Sequence, residues 1–204
     1  MTHRPSRLIF LLLFVLLSAC STTQVQESWR RPGYLVPHPQ KVLVVALTAT
    51  EATRRLVENT YADALADRGI TAVPSFTLIA DSTKLNREAL QPLVKQNGIT
   101  TVLVTSVRDI QKSKVYQPAS PAPGDDSLFR NIDTYYAYST SGQHESGSYA
   151  QLTDYIIETN LFNTADHKLS WSVTTRTSDT GQLKKNIKEV VKAVLERAGK
   201  DKVL

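Results

Sequence analysis

Few side chains in this sequence are suited to chemistry, and they are scattered. There is one cysteine, Cys20, and there are four histidines. A lone thiol can form no disulfide within the chain. Gln143-His144-Glu145 sets an acid beside a histidine, but zinc deaminase chemistry needs the acid one place later, where Ser146 stands, and needs further cysteines. Neither His144 nor His167 has a neighbour at metal-ligand spacing. His38, between Pro37 and Pro39, reads as an exposed loop histidine. No Gly-x-Ser-x-Gly elbow and no phosphate-binding loop is present. Asp81, Asp125 and Asp126 read as solvated loop acids rather than as catalytic or calcium-binding groups. The expectation is therefore no catalytic residue, no metal site and no cofactor. An enzyme would have to assemble its site from distant loops.

Cys20 has a context that the other candidates lack. His3, Arg4 and Arg7 make a positive start, Leu8 to Leu17 is an unbroken apolar run, and small residues lead to the thiol. That is the order of a secretory signal, and the run is too short to span a bilayer, which takes roughly 20 apolar residues. Leu17-Ser18-Ala19-Cys20 resembles the lipobox of bacterial lipoproteins. The resemblance implies cleavage after residue 19 and acylation of Cys20, first with diacylglycerol on sulfur and then, palmitate-like, on the freed amine. Two or three chains anchor firmly, since each buried methylene contributes about 0.8 kcal/mol. Ser21 stands where an aspartate signals inner-membrane retention in Gram-negative lipoproteins. The resemblance thus implies the periplasmic face of the outer membrane.

Composition is that of a globular protein, 41% apolar and 21% charged, which argues against disorder and against multiple membrane spans. Loss of Arg4 and Arg7 with the signal takes the formal charge from +5 to +3. With no basic run interleaved with aromatics, nucleic acid is not an expected partner.

The elements that follow are read from periodicity. Residues 20–40 form the lipidated N-terminus and, from Arg31-Pro32-Gly33 and Pro37-His38-Pro39, a flexible tether in which Trp29 and Tyr34 could dock on the domain. A single α/β domain occupies 41–199. KVLVVALT at 41–48 predicts a buried strand. Thr48 and Glu51 have capping-box spacing for a helix with Leu56, Val57, Tyr61, Ala64 and Leu65 inward, stopped at Gly69. Strand 70–79, helix 85–96 (with Pro92 inside it) and strand 100–110 come next. Tyr149–Phe162 and Lys168–Thr177 alternate as a hairpin across Asn163–His167. Asp179 is placed to cap a last helix, whose stripe is Leu183, Ile187, Val191, Val194, Leu195 and Ala198. The predicted class is α/β, a mixed sheet with helices packed on it, in the order β-α-β-α-β-(β)-β-β-α.

The bracketed strand, at Tyr135–Ser139, lies in an irregular insertion at 116–148. Loops of that length in a compact domain are commonly functional, and Tyr135, Tyr136 and Tyr138 offer a contact surface. The stretch YIIETNLFNTADHKLSWSVTTRT, 155–177, is similar to small envelope lipoproteins that carry a strand, an Asp/Lys turn and a strand with a tryptophan. More distantly the order of elements resembles the TolB N-terminal domain and its relatives, including activators of peptidoglycan synthases and curli-secretion lipoproteins. His167 stands where that family often has glycine. The resemblance implies a binding or scaffold module of the cell envelope, with a protein or cell-wall partner. The alternative is an envelope hydrolase or transferase.

Overall fold

The computed structural model describes residues 22–33, 41–117 and 148–204, together with Ile132, Asp133 and Tyr136. Its elements are β1 (Thr23–Arg30), β2 (Lys41–Leu47), α1 (Glu51–Ala66), β3 (Thr71–Pro74), α2 (Arg87–Gln96), β4 (Thr101–Gln117), β5 (Ser148–Asn163), β6 (Leu169–Ser178) and α3 (Leu183–Lys200). Six strands form one sheet in the order β1-β6-β5-β4-β2-β3. β2 pairs in parallel with β3 and with β4, while β4-β5, β5-β6 and β6-β1 are antiparallel. The α/β mixed-sheet class is therefore observed.

Strand β2 explains the parallel half. Both of its faces are covered, so Val42, Leu43, Val44, Val45 and Ala46 are all buried, as a continuous apolar run requires. Val42 and Val44 join the core beneath α1 and α3, with Tyr61, Leu65, Leu103, Leu161, Trp171 and Val194. Leu43 and Val45 face the other way, against Ile99 and the α2 residues Leu90 and Val94. In the antiparallel half, among the described residues, only one face meets the long helices. Trp171, Val173, Thr175 and Thr177 of β6 are buried there, and Arg176 and Ser178 alternate outward.

Several sequence expectations are corrected. Residues 23–30, read as part of a tether, form edge strand β1, from Thr23 opposite Thr177 to Arg30 opposite Trp171. Backbone pairing with β6 satisfies this polar segment, TQVQESWR, whose side chains show no apolar period. Trp29 lies on that strand opposite Ser172. Helix α1 is capped by Thr50, whose side chain accepts from the Thr53 amide, rather than by Thr48. Asp179 does not cap α3. Its carboxylate accepts from the Gly181 amide and from Asn186 Nδ2, and the N-cap residue, Gln182, makes no side-chain cap bond. Strand β3 ends at Pro74 and turns into a short 3₁₀ helix at Ser75–Thr77, so the expected strand to Ile79 is shortened. At Tyr136 the backbone is helical, not extended as the bracketed strand required.

Candidate interaction surface

Strands β4 and β5 outrun the sheet. β4 keeps its β2 neighbour only as far as Ser106, opposite Leu47, and β5 meets β6 only from Asp154, opposite Ser178. Beyond these points, among the described residues, Lys112 to Gln117 pair solely with Thr153 to Ser148. The result is a two-stranded ribbon about 20 Å long, at roughly 3.3 Å per residue, which we call the arm.

A bulge sets which side chains share a face of the arm. Val107 lies opposite Ile157 and Asp109 opposite Ile156, leaving Arg108 as the extra residue. Its guanidinium pairs with Glu158 at 3.2 Å. Because side chains alternate strictly, the extra residue moves the outer part of β4 to the opposite face. Ile110, Lys112, Lys114 and Tyr116 thereby share a face with Tyr155, Thr153, Gln151 and Tyr149. This face continues the helix-covered row of Ile157, Thr159 and Leu161.

The arm carries apolar side chains without burying them. Val115, Tyr116, Tyr149 and Leu152, with Ile110 at the root of the arm, are each between 45% and 69% exposed. Tyr116 and Tyr149 stack edge to face across the strands with ring centroids 5.4 Å apart. Such a cross-strand pair contributes up to about 1 kcal/mol. A two-stranded ribbon is marginal alone in water, so its root matters. There Asp154 is buried and accepts from Arg176 Nε at 2.9 Å and Ser178 Oγ at 2.6 Å. The Ser178 hydroxyl and Arg176 guanidinium hold its carboxyl below the usual carboxylate range. The Asp179 amide bonds the Thr153 carbonyl beside it.

The other polar clusters are closed. Arg54 and Glu58 on α1 are buried, with Nε to Oε1 at 3.1 Å. Glu58 also accepts from the Ala46 and Phe76 amides and from Ser75 Oγ, while Arg54 Nη2 donates to Ser75 Oγ and to the Ile79 carbonyl. With four donors on one carboxylate, the group is a lock between α1, β2 and the 3₁₀ corner. Its signal stood in the sequence, since Arg54, Glu58, Tyr61 and Leu65 make a helical stripe in which two members are charged. Tyr61 lies beside Thr105 and Thr159, and burial pushes its phenol up to about 12. Trp171 Nε1 donates to Asp201 at 2.8 Å, and Arg197 binds the same carboxylate oxygen at 3.0 Å.

The sequence-predicted sites separate as follows. Cys20, Tyr135, Tyr138, His38, His144, Asp125 and Asp126 lie outside the described residues. Tyr136 is described and is 69% exposed. Asp81 accepts from the Thr83 amide and hydroxyl at the start of a short 3₁₀ helix, and these bonds lower its pKa. His167 sits in the β5–β6 turn at φ +56, a left-handed conformation that explains why glycine suits that position. Among the described residues no group of three or more His, Cys, Asp or Glu is placed to hold a metal ion.

No family model and no curated protein matches the chain. Among solved structures it is similar to the PelC dodecamer from Paraburkholderia phytofirmans, at 13% identity over 84% of this chain and 94% of that one, with a TM-score of 0.45. It is similar also to lipoprotein GNA1162 from Neisseria meningitidis, at 15% identity over 79% of this chain and 99% of that one, with a TM-score of 0.40. Both are likenesses of the backbone at large and assign no role to any residue of this chain.

Proposed function

We propose that this chain is a non-enzymatic binding module of the bacterial envelope. Lipid on Cys20 holds it at the periplasmic face of the outer membrane, and it grips an envelope protein through the β4–β5 arm. The observation that carries the partner-binding half is the arm itself. Its apolar side chains are exposed on both faces, and each of its strands offers an unpaired edge among the described residues. Exposed apolar rows mark contact sites, and open edges accept an added strand. Tyr135, Tyr136 and Tyr138 belong to the segment that joins the two strands of the arm, and of these Tyr136 is exposed. The anchoring half rests on the residues Leu17-Ser18-Ala19-Cys20 after an apolar run. No helix of the described residues is long and apolar enough to cross a membrane.

Two experiments test the two halves separately. A photocrosslinking residue at Tyr116, Tyr136 or Tyr149 in intact cells is expected to trap a discrete protein adduct, and the same probe at exposed Asp67, the C-cap of α1, is not. Equal yields at all four positions would remove the arm from the proposal. Cys20→Ala is expected to leave the chain unprocessed or released from membranes. A Cys20→Ala chain that is still cut and still fractionates with membranes would remove the anchor.

A further inference from the structure

The lysines of α3 lie where the anchored chain would meet its bilayer. Thr22, two residues after Cys20, is fixed to α3. Its amide donates to Glu189 Oε2 at 3.0 Å, and its hydroxyl donates to the same oxygen. Thr23 is buried and already paired with β6. Two residues of fully extended chain reach about 7 Å, so lipid on Cys20 leaves no slack for a tether at this point. Around Glu189 stand Lys184, Lys185, Lys188 and Lys192, all exposed. At spacings of one, three and four residues they share the outward side of the helix, with Leu183 54% exposed at its start.

Helix stability does not account for these charges. The first turn of α3 contains Lys184 and Lys185 and no acid. Cations there oppose the positive end of the helix dipole. Nor do acidic partners account for them. Among the described residues Lys184, Lys185 and Lys188 form no salt bridge, and Lys192 meets Glu196 only at 4.0 Å with both side chains exposed. Glu189 at their centre offsets part of the charge, with Lys185 and Lys192 acting on its carboxylate, and the four lysines leave a net positive face next to the chain's exit toward Cys20.

Resting on the reading of Cys20 as the anchor, we infer that the Lys184, Lys185, Lys188 and Lys192 face docks on the anionic headgroups of the bilayer that holds the lipid. Acyl chains plus a basic patch form a two-signal attachment. The lipid supplies residence, and the lysines fix which side of the domain lies down. The arm then projects from a domain of fixed orientation instead of a freely tumbling one.

The test uses the full-length lipoprotein extracted from membranes and reconstituted on phosphatidylcholine vesicles with or without phosphatidylglycerol. A pulse of water-soluble amine-acylating reagent is read per lysine by mass spectrometry. Lys184, Lys185, Lys188 and Lys192 are expected to label several-fold more slowly only when phosphatidylglycerol is present, with protection lost in high salt. Lys84 and Lys95 are expected to label equally in both. Equal labelling of all six lysines overturns the inference. The fourfold Lys→Gln variant is expected to lose the salt-sensitive part of vesicle binding, roughly tenfold or more, and the fourfold Lys→Arg variant to keep it. Far-ultraviolet circular dichroism of both variants confirms the fold. Protection in intact cells without protection on vesicles overturns the lipid partner in favour of an acidic protein. The mass of the Cys20 peptide reports the anchor independently. If Cys20 carries no lipid, salt-sensitive sedimentation with phosphatidylglycerol vesicles still supports the lysine face, and its absence overturns it.

Discussion

The two halves of the sheet treat difficult side chains in opposite ways. The parallel half, β3-β2-β4 between helices on both faces, takes two full charges into its interior and satisfies every atom of them. The antiparallel half, β4-β5-β6-β1, pushes aliphatic and aromatic side chains into water on the arm. A buried Arg–Glu pair makes a lock, because its geometry admits no new ligand without breaking bonds already made. An exposed apolar ribbon makes a surface, because nothing among the described residues completes it. Within one sheet, rigidity and availability are thus divided between the halves.

The largest effect is expected at the lock. Glu58→Ala leaves Arg54 buried and unpaired and is expected to cost about 3–5 kcal/mol of unfolding free energy, measured by urea titration. Replacing both Arg54 and Glu58 with Met is expected to recover much of that loss. A single Glu58→Ala variant within about 1 kcal/mol of the parent would show that the parallel half is not rigid as described. Next comes the root of the arm. Asp154→Asn is expected to cost about 1–2 kcal/mol, since a charge-assisted bond is worth somewhat more than a neutral one and Arg176 is partly in water. The carboxyl of Asp154 is depressed in the folded chain. Its contribution is therefore fully present above the unfolded carboxylate range, near pH 4, and is lost as pH falls through the lower folded value. Urea midpoints taken down to acid pH should fall more gently in Asp154→Asn than in the parent. An identical acid limb would assign the sensitivity elsewhere, for instance to Asp201. The smallest stability effect is expected on the arm. Tyr116→Ser with Tyr149→Ser should cost less than about 1 kcal/mol, yet abolish the photocrosslinked adduct formed from Tyr136. A large loss of stability with an unchanged adduct would mean that the tyrosines serve folding instead of contact.

The sequence was legible where one pattern ruled. KVLVVALT has the length and β-branched content of a buried strand, and the stripe from Ile187 to Ala198 is a buried helix face, although Leu183, which begins the predicted stripe, is exposed. It misled where pairing, not burial, holds the structure. TQVQESWR has no apolar period because β1 contributes backbone hydrogen bonds at an edge. The outer part of β4 reads as loop because both of its faces mix Lys, Gln and Ser with Val and Tyr. The bulge at Arg108 also breaks the alternation that would have revealed it. Arg54 and Glu58 were hidden for a third reason. A charge on an inward stripe is normally evidence against burial, and only tertiary partners, Ser75 and the Ala46 and Phe76 amides, reverse that. Of the proposed contact residues, Tyr136 was legible as an exposed aromatic and Tyr149 as the first residue of a strand, whereas Tyr116 was concealed by the expectation of irregular chain from 116 to 148.

The last residues have a consequence for the order in which this chain can fold. Val203 is 1% exposed within the same core as Trp171 and Val194. Arg30, at the end of β1, donates to the Asp201 carbonyl. A polypeptide that emerges N-terminus first has β1 out before β6, its strand neighbour among the described residues, exists. Its core stays open until residue 203 has followed. Closure therefore waits on a segment far downstream of the strand it holds in place, and until then the chain stays threadable.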